Sequence, residues 1–333
     1  MIEKNLHRKG KQFMEKNYRI VIDTLGSDKG PEAILEGAKT VLENNPNINL
    51  VLVGDSELIS SFGFPKERIE IIHATNTVTN YDNPMEAFYR KEKPSVFLAL
   101  EKCATDEDAI GVISSGNTGA VLVGAIKYLL NENRDRPCLA AMIPTKINGH
   151  YTCLVDTGAI TDCTSSQLVG FAHLGSKFVK QLYKIENPRV GLLSNGSEPT
   201  KGNKLVKETH LLLKDDKEIN FIGNIEAVNT LDGLCDVLVC DGFAGNQILK
   251  NTQGVAMTLI KEVMKFGVIN KQEDITKQIA GHIMKNYDFE SNGAAIMLGT
   301  KKYVLKCRGS SGPNATVSAC NILINVINNK CYY

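Results

Sequence analysis

Five segments rich in Gly, Ser and Asn each follow a short apolar run. Asp23 leads into Thr-Leu-Gly-Ser-Asp-Lys-Gly-Pro (24–31), and Ser114 into Ser-Gly-Asn-Thr-Gly (115–119). Leu193 leads into Ser-Asn-Gly-Ser-Glu-Pro-Thr-Lys-Gly-Asn (194–203), Asp241 into Gly-Phe-Ala-Gly-Asn (242–246), and Cys307 into Arg-Gly-Ser-Ser-Gly (308–312). Glycine lets backbone N–H groups come close to an anion, and a helix start adds partial positive charge. One such loop would be a turn with an N-cap. Five in one chain point to a site for phosphate or another small, highly charged group.

The elements that must hold these loops alternate along the chain. Apolar, β-branched runs predict strands at 19–23, 50–53, 69–73, 109–114, 189–193, 221–225, 237–241 and 303–306. Longer patterns predict helices at 31–44, 117–130, 165–183, 201–214, 245–265, 273–286 and 314–328. This alternation is that of βαβ units, whose parallel strands are apolar on both faces. In open α/β sheets, ligands bind outside the carboxyl ends of the strands, where the five loops are expected to converge. One stretch breaks the pattern: 139–144 and 151–155 flank Asn148-Gly149, which predicts an antiparallel hairpin inserted in the parallel scheme. A division into two lobes is compatible with the length, but no linker marks a boundary.

Several chemistries are disfavoured. GxxxxGK[ST] is absent, and no GxGxxG follows the first strand, which argues against Walker and dinucleotide sites. GxSxG and HExxH are also absent, and the 6 histidines form no obvious dyad. The 9 cysteines are an odd, scattered set without CxxC, so neither a disulfide framework nor a zinc site is expected. Neither a metal nor a cofactor is expected.

The chain has 333 residues, 38 Lys+Arg against 37 Asp+Glu, and 43% hydrophobic residues. Such proportions are those of a globular protein, and near-neutrality argues against a nucleic-acid partner. The balance is uneven, because residues 1–19 carry six bases (Lys4, Arg8, Lys9, Lys11, Lys16, Arg19) and two acids (Glu3, Glu15). Residues 1–17 read as a basic extension, either solvated or touching anionic lipid or a partner, ahead of an α/β domain over 18–333. No run approaches the roughly 20 apolar residues of a membrane span, and no secretory signal is evident, so the expected location is the cytoplasm.

The loops also resemble a family, the bacterial phosphate acyltransferases of phospholipid synthesis (the PlsX family). Residues 22–32 resemble its opening IDAMGGD-x-x-P-E, and Ile-Ser-Ser-Gly-Asn-Thr-Gly-Ala (113–120) its SAGNTGA segment. Arg136-Pro137 and Leu154–Ala159 are similar to its RP and LLDxGA elements. Lys201-Gly202-Asn203 keeps its KGN, and Asp241–Asn246 its DGFxGN. Departures are Gly26-Ser27-Asp28 for GGD, Ser194–Glu198 for NIGEE, Gly293–Gly299 for GGAPLLG, and Arg308-Gly309-Ser310-Ser311 for HGSS. Arginine would bind an anion bidentately but stays protonated, so it cannot replace a proton-transferring histidine.

The resemblance implies a three-layer α/β/α fold like that of isocitrate and isopropylmalate dehydrogenases and of phosphotransacetylases. It implies a homodimer, cytoplasmic with a possible peripheral membrane contact. The implied reaction moves a fatty acyl group from acyl carrier protein to inorganic phosphate by direct attack of the bound phosphate on the thioester. No activated Ser or Cys is needed, and fixed donors would stabilise the tetrahedral oxyanion. In this reading Lys201 and Arg308 are the phosphate or oxyanion cations. Asn117, Thr118, Asn203, Asn246 and Ser310 are neutral donors, and Asp23 and Asp241 orient the cations, handle the thiol proton or serve as caps. Gly26, Asp28, Ser115, Gly116, Gly119, Gly202, Gly242, Gly245, Gly309 and Ser311 complete the expected phosphate-binding set. The stripe Ile248, Leu249, Val255, Leu259, Ile260, Val263 suits an acyl pocket, a dimer seam, a membrane contact or plain core. Rival readings are a phosphotransacetylase-type enzyme using acyl-CoA, a catalytically degenerate binder of carrier protein or membrane, and an isocitrate-type dehydrogenase.

Overall fold

The computed structural model describes residues 18–286 and 294–328. The expected extension 1–17, Gly293 and Cys331 lie outside them. The first apolar run forms β1 (Tyr18–Asp23), and Pro31 at the head of α1 (Gly30–Asn44) supplies a preset helical φ. There follow β2 (Ile48–Gly54), α2 (Ser56–Ser61), β3 (Ile69–His73), α3 (Pro84–Phe88), α4 (Ser95–Thr105), β4 (Ala109–Ser114) and α5 (Thr118–Tyr128). The hairpin comprises β5 (Cys138–Pro144) and β6 (Tyr151–Val155). Then come α6 (Ser165–Tyr183), β7 (Arg189–Ser194), α7 (Lys204–Asp215), β8 (Asn220–Glu226) and β9 (Val237–Val239). The chain ends with α8 (Gly242–Ile269), α9 (Glu273–Asn286), β10 (Ala294–Leu298), β11 (Tyr303–Cys307) and α10 (Pro313–Asn328).

The eleven strands among the described residues form one sheet in the order β3-β2-β1-β4-β11-β10-β5-β6-β9-β7-β8. β3, β2, β1, β4 and β11 are mutually parallel, as are β6, β9, β7 and β8. Between these blocks β10 is antiparallel to both β11 and β5, and β5 is antiparallel to β6. The sequence predicted one antiparallel pairing, and the structure has three. An odd number of reversals leaves the two parallel blocks running in opposite directions.

Side chains alternate across a strand, so each face has its own core. On one face Ile20, Ile22, Leu50, Leu52, Ile113, Leu305, Val155 and Val237 pack with α1, α6 and α10. On the other, Val21, Val51, Val112 and Val304 pack with α4 and α5. Farther along this second face, Ile143, Leu154 and Leu238 pack under Ala244, Ile248 and Leu249 of α8. Between α5 and α8 no helix of the described residues covers the face over β5 and β10, and this gap is the cleft.

Candidate active site

Three neighbouring strands end in polar residues on the cleft face. Asp23 lies across β1 and β4 from Ser114, and Ser114 across β4 and β11 from Lys306. Each is two residues on from a core valine (Val21, Val112 and Val304), so alternation turns all three toward the same face. Ser114 Oγ donates to Asp23 Oδ2 at 2.7 Å, and the Leu25 amide donates to Asp23 Oδ1 at 3.2 Å. Burial pushes the Asp23 carboxyl up to about 6, although these hydrogen bonds and Lys306 favour its charged form. Burial also lowers the Lys306 ammonium, against the opposing pull of Asp23 and Asp28. Lys306 Nζ donates to Ser115 O at 3.3 Å and to Cys307 O.

The loops after these strands are stitched together. Asp28 N and Ser27 Oγ donate to Gly309 O at 2.8 and 3.2 Å. Gly26 has φ of 83°, and a Cβ there would lie 2.7 Å from Gly116 Cα, so both requirements call for glycine. Asn117 caps α5 by accepting from Ala120 N at 3.0 Å, while its Nδ2 donates to Thr79 O at 3.1 Å. The helix start thus carries free amide character at the cleft and fixes the 77–81 segment beside it.

Asp156 organises the opposite wall. Its buried carboxylate accepts from the amides of Leu139, Gly158, Ala159 and Ile160 at 2.7–3.2 Å. Desolvation raises its pKa, and the four amides oppose that shift. The turn so formed receives the start of α8. Gly242 N donates to Ile160 O at 2.8 Å, Asp241 caps the helix through Ala244 N at 2.7 Å, and Asn246 Nδ2 donates to Thr157 O at 3.1 Å.

The cleft, of about 890 Å³, is lined by Gly26, Asp28, Ser115, Gly116, Asn117, Thr118, Asn246, Arg308, Gly309 and Ser310 of the expected set. Asp23 lies behind that lining, and Gly119 and Ser311 flank it without facing it. Asp241, Gly242 and Gly245 shape the junction of α8 with the 156–160 turn. Lys201, Gly202 and Asn203 do not line the cleft of this chain. Their loop follows β7 and is closed by Gly202 N to Asn195 Oδ1 and by the Asn203 cap on Val206 N, both 2.9 Å. Of the five loops expected together, those after β1, β4 and β11 meet, α8 contributes through Asn246, and the loop after β7 does not line the cleft.

Sequence reasoning missed Lys306, the Thr157-Gly158 turn and the segment Thr77–Tyr81, all of which line the cleft. For Lys306 a signal existed: a lysine in the apolar run Tyr-Val-Leu-Lys-Cys, in phase with a core valine. The cleft floor is apolar, with Leu139, Ala141, Ala294 and Ala295, and Leu249 and Val78 flank it. A polar, amide-rich end therefore adjoins a greasy trough.

Comparison with known proteins bears on the fold and the family. A family described as "Fatty acid synthesis protein" matches residues 18–332. The phosphate acyltransferase of Streptococcus pyogenes serotype M1 is 39% identical over 311 residues, covering 90% of this chain and 91% of that one. Among solved structures, a phosphotransacetylase from Streptococcus pyogenes superposes with TM-score 0.62 at 16% identity, covering 99% of both chains. A branched-chain phosphotransacylase from Enterococcus faecalis V583 gives 0.57 at 15%, covering 95% of this chain and 100% of that one. These two likenesses show a shared fold: a mostly parallel α/β sheet with an antiparallel insertion. The extent of the sequence matches shows more, and the chain belongs to the fatty acid synthesis protein family that holds the phosphate acyltransferases.

Proposed function

We propose that this acyltransferase moves a fatty acyl group from acyl carrier protein to inorganic phosphate, forming an acyl phosphate for phospholipid synthesis. One observation carries the reading: a single cleft joins a cationic, amide-lined end (Lys306, Arg308, Ser115–Thr118) to an apolar trough (Leu139, Ala141, Ala295, Leu249). Phosphate fits the first and the acyl chain the second, with the thioester carbon between them. The α5 amides and the Arg308 fork stabilise the tetrahedral oxyanion, and holding both reactants in line supplies the rest. Direct attack by phosphate suits the lining, for no described histidine faces the cleft. Burial pushes the Cys307 thiol up to about 11, which makes it a poor nucleophile.

An acidic carrier protein would dock at the mouth, where Lys250 lines the cleft and Lys29 Nζ stands near Gly312. We assign the exposed stripe Val255, Leu259 and Phe266 along α8 to a second copy of the chain. The tip of the α8–α9 hairpin, with Val268 and Ile269 exposed near Lys265 and Lys271, is assigned to an anionic membrane surface.

The protein is incubated with inorganic phosphate and either palmitoyl-carrier protein or palmitoyl-CoA, and acyl phosphate is trapped as the hydroxamate. Product from the carrier is expected. Product from CoA alone would reassign the donor, and no product from either would overturn the reading.

A further inference from the structure

The reaction proposed above leaves one proton to be moved. Hydrogen phosphate enters with a P–OH hydrogen that the acyl phosphate lacks, whereas the sulfur departs as a thiolate and ends as a thiol. The group that carries the proton must face the cleft, and it must be able to lose and regain a proton. Arg308 faces the cleft but does not release its proton. Asp23 is 1% exposed and tied to Ser114 behind the lining. The Asp28 carboxylate packs over Gly309, where it sets negative charge beside an incoming dianion. The Cys307 thiol points to the other face of the sheet, where it donates to Ala315 O at 3.9 Å.

Lys306 meets the requirements. It pairs across the β10–β11 ladder with Ala295, so its side chain rises from the same face as the apolar floor. Its ammonium donates to two carbonyls, Ser115 O and Cys307 O, at the seam between the 115–117 and 308–312 loops. An ammonium has three hydrogens, so one is left for a ligand in the cleft. Burial makes that ammonium a stronger acid than a surface lysine, and the nearby Asp23 and Asp28 charges moderate the effect.

We propose that Lys306 is the proton shuttle of the transfer, protonating the departing sulfur and then taking the hydrogen that phosphate sheds. This inference rests on the acyl-transfer reading. A phosphate oxygen forms a bond to the thioester carbon, and the C–S bond breaks with its electron pair on sulfur. The Lys306 N–H proton passes to that sulfur, and the resulting amine takes the P–OH hydrogen. The balance is acyl-S-R + HPO4(2−) giving acyl-OPO3(2−) + HS-R, with the lysine returned to its ammonium form and no other reactant.

The test compares an octanoyl alkyl thioester with an octanoyl nitrothiophenyl thioester, whose thiolate leaves without a proton, each with inorganic phosphate. In Lys306→Met the alkyl rate is expected to fall about 100-fold and the nitrothiophenyl rate less than about fivefold. Lys306→Arg keeps the charge and the carbonyl contacts but cannot give up a proton, and it should show the same split. Equal losses on both thioesters, or a Lys306→Arg protein as active as wild type, would overturn the shuttle while leaving the acyl transfer standing. A wild-type protein that forms acyl phosphate neither from these thioesters nor from palmitoyl-carrier protein would overturn both. Should Lys306→Met fail to fold by circular dichroism, the split in Lys306→Arg decides alone.

Discussion

A buried carboxylate and a buried ammonium two strands apart place opposite demands on pH. Asp23 titrates at about 6 in the fold against an ordinary value of 3.8, so between those values the folded chain holds more protons than the unfolded one. Its contribution to stability is complete below about pH 4 and is lost as pH rises through 6, a swing of roughly 3 kcal/mol. Asp23→Asn stays neutral throughout, so its stability relative to wild type should rise by about that amount from pH 4 to 7. Urea unfolding at the two pH values measures this, and a difference independent of pH would refute it. Arg308 acts through its fork as much as its charge. Arg308→Lys should raise the phosphate KM about tenfold with a smaller change in kcat, as read from initial rates.

At the scale of elements, the junction between α8 and the 156–160 turn tolerates no side chain. A Cβ at Gly245 would fall on Asp156 O, so Gly245→Ala should destabilise the protein by about 1–3 kcal/mol and lower its Tm, despite alanine's better helix propensity. An unchanged melting curve would show that the turn can give way. Strands bounded by polar turns, such as β3 and β4, were legible because alternating apolar runs end abruptly at charged or Ser/Gly residues. Ser95–Thr105 was not. Its apolar residues crowd one short segment after Pro94, too few turns for a helical period to stand out, and burial between β1 and α5 holds it helical. Ala294–Leu298 was also missed, being a five-residue run whose pairing depends entirely on distant partners. That single omission matters most, since β10 decides which way the second block runs. The five loops could be read from sequence, but which of them meet depends on the spatial order of the strands, and the Lys201 loop does not line the cleft of this chain.

For the whole molecule, 38 bases against 37 acids conceal local patches that composition averages away. The tip of the α8–α9 hairpin exposes Val268, Ile269 and Ile275, each more than half accessible. Replacing Val268 and Ile269 together with Asp should abolish co-sedimentation with anionic vesicles, while transfer to phosphate in free solution continues at a normal rate. Unchanged sedimentation would remove the membrane assignment. Among the described residues no helix is long and apolar enough to cross a membrane. The order of strands has a last consequence, for synthesis. β11 sits between β4 and β10 and carries Lys306, and α10 packs on α1, so the first parallel block is completed by residues from the far end of the chain. A ribosome therefore releases β1–β4 long before their neighbour exists, and the nascent chain must shelter the bare edge of β4 until β11 has been made. Cleft formation should await β11, and chains terminated before it should be substrates for chaperones and proteases.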